Sequence, residues 1–383
     1  MARKRLLCLS NGHGEDQIAA RIVRALQAHD LEILAMPIVG EGSALRQLGV
    51  PIVAPTRTMP SGGFIYMDVR EFLRDLREGL GRLTLEQWQV LRQLGPRCDL
   101  VLAVGDIVVL GLAWASRAPY AFVGTAKSDY YLGGKPSDYK TWERWMMNRP
   151  RCRAIYPRDG LTARNLRTWV PRAVDLGNPM MDQLEPLGAS LDIPPDAVTI
   201  LLLPGSRSPE AYRNLVRILA VVENLPQDLC GRPLHILCAQ ATGLTDAEIA
   251  RETGWKLGPG QISRGPRVVH LERERFAECL HRTDLAIAMA GTATEQCVGL
   301  GKPVVTLPGE GPQFTYRFAE AQTRLLGESV RLITDGPEAA ARCIERLLGD
   351  EHGLERIRHN GYVRMGKPGA SSRIAEHLLK VIG

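Results

Sequence analysis

The sequence has no Cys-x-x-Cys pair among its eight cysteines, and Cys8, Cys238 and Cys297 lie in apolar runs. This spacing argues against zinc sites and disulfides, and it predicts buried, reduced thiols in a cytoplasmic protein. Long apolar runs are absent too, because the longest, 100–115, is interrupted by Asp106 and falls short of a membrane span. The run 6–9 is too short for a signal peptide and predicts a buried first strand.

A strong charge of either sign is also missing. The net charge of +6 over 383 residues is too small to indicate nucleic acid, and it suits phosphate-bearing substrates or an anionic lipid surface equally well. Hydrophobic residues make up 45% of the chain and charged residues 23%, which is typical of globular proteins. The length suits two domains of roughly under 200 residues each.

Short apolar strands alternate with helical patterns in two successive sets, which predicts α/β domains with parallel sheets covered on both faces. In the first set, strands are predicted at 5–10, 32–37, 51–53, 100–104 and 120–123, and helices at 15–28, 43–48, 69–94 and 108–116. In the second set, strands are predicted at 199–203, 234–238, 268–270, 285–289 and 304–307, and helices at 210–222, 291–301 and 314–326. We therefore predict an N-terminal domain at 1–175, a C-terminal domain at 176–369 and a final helix at 370–383.

Ligands of such sheets lie at the carboxyl ends of the strands, so the loops that follow strands are candidate sites. The first such loop, 10–16, lacks the third glycine of a dinucleotide fingerprint, since Gln17 stands there. Its ionisable residues either act as a general base or only favour the start of the helix. Its candidate bases are His13 and Glu15, and its candidate acceptor-side residues are Asn11, Gly12, Gly14 and Asp16.

A second candidate loop is Pro204–Pro209, where an apolar strand runs into Gly205, Ser206 and Arg207 before a helix. The backbone N–H groups of a helix start attract anions, and a guanidinium matches the geometry of a phosphate. The alternative is an ordinary turn with a surface arginine.

A third candidate loop opens a helix at Gly291, followed by Thr292, Ala293, Thr294 and Glu295. We expect Thr292 or Thr294 to cap this helix and to contact a phosphate. Glu295 suits a ribose diol, or else only a favourable charge at a helix start.

The fourth loop, Val104-Gly105-Asp106, places a carboxyl group at another strand end. Asp106 is a candidate general base or, alternatively, a helix cap. The sequence contains no His-Glu-x-x-His and no Asp-x-Asp motif, so we expect no metal and no other cofactor. A leaving diphosphate would then be stabilised by helix dipoles and by Arg207.

These loops resemble the motifs of one enzyme family. Leu203–Arg207 with Glu210 is similar to the donor motif of lipid-A-disaccharide synthase, and so is 291–295 followed by Lys302-Pro303-Val304-Val305. The Trp142–Trp145 region, running into Arg153–Pro157, looks like the aromatic-basic segment after that family's last N-domain strand. Leu176–Pro179 resembles its entry into the second domain. The match keeps the motif order over most of the chain.

The resemblance implies the GT-B fold, in which two Rossmann-like, doubly wound parallel-sheet domains face a cleft, with a C-terminal helix that crosses back. It implies a metal-independent, inverting glycosyltransferase that binds a UDP-sugar in the C-terminal domain and a lipid or lipid-linked acceptor in the N-terminal domain. It places Arg207 on the diphosphate, Gly291 and Thr292 at the phosphate-facing helix start, and Glu295 near the ribose. Gln313 is similar in place to donor-sugar contacts of the peptidoglycan N-acetylglucosaminyltransferase and of galactolipid synthases.

The first loop differs from the Gly-Glu-x-Ser-Gly-Asp of the synthase. A histidine in a glycine loop, here His13, is more similar to the peptidoglycan and galactolipid enzymes, so the acceptor stays open. Two other classes fit the same architecture: a UDP-sugar 2-epimerase and a nucleotide-sugar-binding protein without catalysis.

Two segments are candidates for an acceptor or membrane surface. An apolar stripe with interspersed arginines at helical spacing is either a membrane-facing surface or, alternatively, core. It consists of Val69, Phe72, Leu73, Leu76, Leu80 and Leu83, with Arg70, Arg74, Arg77 and Arg82. Segment 127–153 has seven basic against three acidic residues, and an aromatic-basic surface suits lipid headgroups better than nucleic acid, the other alternative being an ordinary solvated surface. Its aromatic residues are Tyr130, Tyr131, Tyr139, Trp142 and Trp145.

Overall fold

The computed structural model describes residues 3–57, 80–133, 135, 137–188 and 190–382. The chain divides into two compact units, the first formed by Met1–Gln183 with Pro368–Gly383 and the second by Leu184–Lys367. Segment 176–183, which the sequence assigns to the C-terminal domain, lies in the first unit. The C-terminal helix lies there as well.

The first unit is built on a parallel five-stranded sheet in the order β2-β1-β3-β4-β5. Its strands are β1 Lys4–Ser10, β2 Leu31–Pro37, β3 Leu100–Gly105, β4 Tyr120–Gly124 and β5 Cys152–Tyr156. Its helices are α1 His13–Leu26, α2 Ser43–Gln47, α3 Leu80–Leu94, α4 Ile107–Ala115, α5 Thr141–Met147, α6 Gly160–Arg167 and α14 Ala370–Ile382.

Helices cover both faces of this sheet because successive strand residues point to opposite sides. Leu7 and Leu9 of β1 share a buried core with α3, α4, α5 and α6. Leu6 and Cys8 share the core of the other face with α1, α2 and α14. The sheet is therefore doubly wound, as the sequence predicts.

The second unit has a nine-stranded sheet in the order β14-β13-β12-β6-β8-β11-β10-β9, with β7 paired to β8. Its strands are β6 Val198–Leu203, β7 Asp228–Leu229, β8 Arg232–Gln240, β9 Lys256–Gly258, β10 Gln261–Arg264, β11 Arg267–Arg273, β12 Leu285–Ala288, β13 Val304–Thr306 and β14 Val330–Leu332. Its helices are α7 Glu210–Glu223, α8 Asp246–Thr253, α9 Phe276–Arg282, α10 Thr292–Gly299, α11 Tyr316–Leu326, α12 Pro337–Leu348 and α13 Glu351–Met365.

The structure corrects three details of the predicted elements. Segment 153–157, placed by sequence after the last strand of the first half, instead forms most of the edge strand β5, and exposed Arg153 interrupts its apolar pattern. The predicted strand 51–53 contributes only an isolated bridge between Ala35 and Ile52. The antiparallel strands β9 and β10 at the edge of the second sheet were not predicted.

The apolar stripe of 69–83 is only partly visible. Residues 69–79 lie outside the described residues. Leu83 is 6% exposed and belongs to the core of the first unit, which favours the core interpretation for that position.

A buried carboxylate fastens the C-terminal helix to the first unit. Asp182 is 7% exposed. Its oxygens accept N–H groups of Gly369 at 2.5 Å, Ala370 at 3.1 Å and Ser371 at 2.6 Å, so it satisfies the otherwise unpaired donors at the start of α14.

We expect Asp182→Ala to lower the free energy of unfolding by about 3 kcal/mol, because it leaves buried N–H groups without acceptors. Urea denaturation followed by circular dichroism measures this change. Asp192→Ala, at an exposed carboxylate of the second unit, is the matched control and should change stability by less than about 0.5 kcal/mol. Equal effects of the two substitutions would contradict the capping role.

Candidate functional site

The loops after β1 and β3 meet at the carboxyl edge of the first sheet. Gly105 has φ +144, and a Cβ there would lie 3.3 Å from Cγ of Glu15 and 3.4 Å from Cβ of Asn11. Asn11 donates its side-chain N–H to Oδ1 of Asp106 at 3.0 Å. The structure thus brings together three of the predicted residues, Asn11, Glu15 and Asp106, through a glycine that leaves room for them.

Asp106 serves as the cap of α4. Its Oδ1 also accepts the N–H of Val108 at 2.9 Å. Burial raises the pKa of the Asp106 carboxyl, while its hydrogen bonds to Val108 and Asn11 lower it. The side chain therefore has the capping geometry of the alternative interpretation, with two donors on one oxygen.

Glu15 has a different environment. Its carboxyl is half-buried in the first turn of α1 and accepts the hydroxyl of Thr125 at 3.2 Å. Burial raises the pKa of Glu15 to about 7, against opposing hydrogen bonds from its own backbone and from Thr125. Such a pKa suits a general base near neutral pH.

Thr125 was missed by sequence reasoning. It directly follows β4, so the rule that loops after strands carry ligands would have found it.

The other two ionisable residues of the first loop differ in access. Asp16 is 3% exposed and accepts the hydroxyl of Ser10 at 2.5 Å. Burial raises the pKa of Asp16 to about 6. His13 is exposed at the first residue of α1. Asp16 is therefore an internal support of the loop, whereas His13 and Glu15 remain accessible.

In the second unit, the loops after β6 and β12 lie side by side because these strands are parallel neighbours. Asn214 of α7 donates to the carbonyls of Pro204 at 3.0 Å and Met289 at 3.4 Å, one in each loop. Gly205 has φ +101, and a Cβ there would lie 3.3 Å from the Met289 carbonyl. Glycine is therefore required where the loops approach each other.

Helix α7, which follows the loop after β6, also contacts the loop after β13. The carboxylate of Glu210, 6% exposed, accepts the N–H groups of Gln313 at 3.1 Å and Phe314 at 2.6 Å. Arg213 donates to the carbonyl of Gly311 at 2.7 Å from the same helix face. Sequence reasoning noted Glu210 only as part of a motif, and its positioning role required the structure.

The start of α10 is fixed by a side chain of α11. Gln322 donates to the carbonyls of Ala290 at 3.1 Å and Gly291 at 3.2 Å. The first N–H groups of a helix lack intrahelical acceptors and carry partial positive charge, so this helix start suits an anion.

The expected threonine cap is wrong. The residue at the cap position is Gly291, with no side-chain cap bond. Thr294 is fully buried, and its hydroxyl donates to the Ala290 carbonyl at 2.7 Å, so it faces the interior and not a ligand. Thr292 is exposed in the first turn, Ala293 is half-buried and Glu295 is 9% exposed.

The remaining residues of the second loop are accessible. Ser206 and Arg207 are exposed ahead of α7. Partial desolvation lowers the pKa of the Arg207 guanidinium, and Glu210 opposes this shift. An arginine stays protonated under such conditions, so Arg207 supplies a permanent positive charge beside the two loops.

No group of three or more histidine, cysteine or acidic side chains suited to a metal ion occurs in the part of the chain that the structure describes. Likewise, none of the helices within the described ranges is long and apolar enough to cross a membrane.

A surface of three exposed tryptophans lies on the first unit. Trp142, Trp145 and Trp169 are 55%, 46% and 41% exposed. Arg144 stacks over Trp169 at 4.4 Å and Arg149 over Trp145 at 4.2 Å. We call these five residues the tryptophan surface. Aromatic rings with stacked guanidinium groups suit a headgroup layer.

Part of segment 127–153 does not belong to this surface. Tyr139 is 2% exposed, so its predicted surface role is wrong. Lys127 is paired at 2.7 Å with Glu143, which is 1% exposed. Trp169 lies outside the segment in sequence, and the structure alone adds it to the surface.

Comparison with solved structures shows the fold. The chain is similar to the calicheamicin glycosyltransferase CalG4, with a TM-score of 0.66, 16% identity, and 100% and 99% of the two chains covered. The chain is also similar to S. aureus MnaA, solved with UDP, with a TM-score of 0.63, 16% identity, and 99% of this chain and 97% of the other covered. Its similarity to Acinetobacter baumannii MurG has a TM-score of 0.60 and 14% identity, with 98% of this chain and 99% of the other covered. The predicted GT-B fold class is confirmed. No family model and no curated protein matches the sequence.

The raised pKa of Glu15 predicts a pH-dependent stability. A carboxyl whose folded pKa exceeds its unfolded value binds its proton more tightly in the folded state, so stability is lost as pH rises from about 4.5 to about 7. Glu15→Gln removes this loss. At about pH 8 we expect the variant to melt higher than the wild type by about 3 °C, and at about pH 4, below the unfolded pKa, to melt at the same temperature.

Differential scanning calorimetry at both pH values measures the effect. Glu41→Gln, at an exposed carboxylate of the same unit, is the control and should show no such difference. A melting difference for Glu15→Gln that is the same at both pH values would contradict the raised pKa.

Proposed function

We propose that the chain is a metal-independent, inverting glycosyltransferase that transfers a sugar from a UDP-sugar to a lipid or lipid-linked acceptor. The observation that carries this proposal is the joining of three loops at the carboxyl ends of the strands of the second sheet. Asn214, Glu210 and Gln322 hold the loops after β6, β12 and β13 together. An exposed arginine and a helix start lie at the same strand ends.

The donor would bind by its diphosphate. Arg207 and the N–H groups at Gly291 and Thr292 provide the positive charge that a departing diphosphate needs without a metal ion. Gly205 and Ser206 supply the close backbone approach, Glu295 is suited to the ribose diol and Gln313 to the sugar. Several solved proteins of similar fold are described with UDP or UDP-GlcNAc, which supports this donor class.

The chemical step would be one displacement at the anomeric carbon. The acceptor oxygen forms a bond to that carbon while the bond to the diphosphate oxygen breaks with its electron pair, which inverts the configuration. The acceptor proton passes to a base of the first unit. Glu15 is favoured over Asp106, because its pKa lies near 7 and Asp106 is engaged as a helix cap. His13 is the third candidate.

The acceptor side rests on the tryptophan surface. Exposed indole rings with stacked arginines fit the headgroups of an anionic membrane, where a lipid-linked acceptor would lie. The proposal includes a peripheral position on the cytoplasmic face of a membrane, and it does not include nucleic acid as a partner. A relation to lipid-A-disaccharide synthase is part of this proposal, and it rests on the donor motif.

A 2-epimerase is the second candidate, since proteins described as UDP-N-acetylglucosamine 2-epimerases share the fold. Incubation with UDP-GlcNAc alone separates the two activities. An epimerase changes the configuration at C2 without an acceptor, whereas a transferase releases UDP only when a lipid acceptor is present. Binding of UDP without turnover across an acceptor panel would instead indicate a catalytically inactive binding protein.

We expect Arg207→Ala to weaken UDP binding by about 10- to 100-fold, because a charge-assisted hydrogen bond to phosphate contributes about 1.5–3 kcal/mol. Isothermal titration calorimetry with UDP measures the affinity. Arg342→Ala, at an exposed arginine of α12, should leave it unchanged. Unaltered affinity of the Arg207 variant would overturn the donor assignment.

For the base, we expect Glu15→Gln to lower kcat by at least about 100-fold, since it cannot accept a proton. The rate of the wild type should rise with pH through about 7, in step with ionisation of Glu15. Asp106→Asn keeps an oxygen for the Val108 N–H and should cost less than about tenfold. If Asp106→Asn or His13→Ala loses more than Glu15→Gln, that residue is the base.

A further inference from the structure

A cavity of the second unit lies at the amino ends of the parallel strands, whereas the proposed donor loops follow their carboxyl ends. Its volume is about 180 Å³, and its wall includes Val198, Asp284 and Pro303, at or just before the first residues of β6, β12 and β13. The donor loops follow the other ends of these parallel neighbours. The six residues of β6 correspond to about 20 Å of strand between the two sites.

The wall of this cavity is mainly cationic. Arg232, Lys302 and Arg358 line it, against the single carboxylate of Asp284. One oxygen of Asp284 is already engaged, because it accepts the N–H of Thr199 at 2.8 Å. The lining therefore carries an excess of positive charge.

The arginines are held in place by contacts at the margins of the cavity. Arg232 donates to the carbonyls of Asp196 at 2.7 Å and Ala197 at 2.9 Å, which are neutral partners. Arg358 is paired at 2.7 Å with the exposed Glu355, a residue outside the cavity wall. The guanidinium of Arg232 is fixed by its two carbonyl partners and loses little further freedom when an anion binds, whereas Arg358 would exchange its exposed partner Glu355 for the anion.

Lys302 is the most desolvated of these cations. Its ammonium group donates to the His281 carbonyl at 3.2 Å. Burial lowers the pKa of Lys302, and nearby Asp284 opposes the shift. The carbonyl end of α10, at Leu300 and Gly301, also lines the cavity. Its dipole amounts to about half a negative charge, which leaves the wall positive.

We propose that this cavity binds a small anion through a phosphoryl group, using Lys302, Arg232 and Arg358. The volume is below the roughly 300 Å³ at which sites for drug-sized ligands begin, so inorganic phosphate or a small phosphomonoester fits better than a nucleotide sugar. The inference does not rest on the proposed function, because this cavity lies at the amino ends of the strands and the proposed donor site at their carboxyl ends.

Cys230 provides a direct readout of occupancy. It lines the cavity and is exposed, whereas the other seven cysteines are buried. A maleimide reagent should therefore modify Cys230 first in the folded protein. Phosphate at about ten times its dissociation constant fills about ten of eleven sites, so labelling of the occluded thiol should slow by about tenfold. Chloride at equal ionic strength accounts for screening.

Variants locate the binding site. Lys302→Met keeps the length of the side chain but removes its charge, and it should abolish protection, whereas Lys256→Met on β9 should retain it. Arg358→Gln is a second variant at the exposed margin of the cavity. Arg207→Ala should keep full protection, which separates this site from the donor site.

Mass spectrometry of the labelled peptide gives the rate at Cys230. Equal rates in phosphate and chloride would overturn the proposal, as would protection that survives both Lys302→Met and Arg358→Gln or that disappears in Arg207→Ala. The same experiment with glycerol phosphate in place of inorganic phosphate distinguishes the two ligand types. The compound that protects Cys230 at the lower concentration is the better ligand, a phosphomonoester or free phosphate.

Discussion

The carboxylate of Glu210 is the contact on which the second-unit site depends. It is buried, yet it accepts N–H groups from Gln313 and Phe314, so a loop that follows β13 is fixed to a helix that follows β6. A buried carboxylate without donors would be strongly destabilising, and therefore the loop and the helix must order together. Asn214, one turn further along α7, adds the third loop through Met289. Under the proposed function, backbone groups and Arg207 would contact the donor, while the acidic and amide side chains beneath them hold the loops in place.

The first unit shows how two carboxylates a few ångströms from the same glycine acquire different properties. Asp106 accepts two N–H groups on one oxygen, which stabilises its charge and fixes its orientation. Glu15 accepts its own backbone N–H and the hydroxyl of Thr125 at 3.2 Å, but its burial outweighs these bonds and holds its proton to about pH 7. Burial raises the pKa of both groups, but more hydrogen bonds oppose that shift at Asp106, where the N–H groups of Val109 and of its own backbone contribute as well, than at Glu15. The same comparison distinguishes a side chain that builds a helix from one that is available to a substrate.

Sequence patterns predicted the two doubly wound sheets because parallel strands buried on both faces appear as short apolar runs with helices between them. They predicted the loops at 205–207 and 291–295 for the same reason, since a glycine within a few residues of the end of such a run indicates a turn after the strand. The threonine cap failed because a hydroxyl at Thr294 is satisfied by the Ala290 carbonyl one turn back. Glu210, Thr125 and Trp169 gain their roles from residues far away in the chain. Strand β5 was missed because an edge strand tolerates an exposed arginine.

The three N–H groups that Asp182 accepts have a consequence for the order in which the protein is made. One face of the first sheet is covered by α1 and α2 together with α14, whose start is bound to a residue nearly two hundred positions earlier. Chains emerge from the ribosome in sequence order and fold domain by domain. Residues 184–367 are therefore complete while the first unit still exposes the apolar surface of α1 and β5 on which α14 packs. The second unit is therefore synthesised completely before the first unit, which receives its last helix, α14, only at the end of the chain.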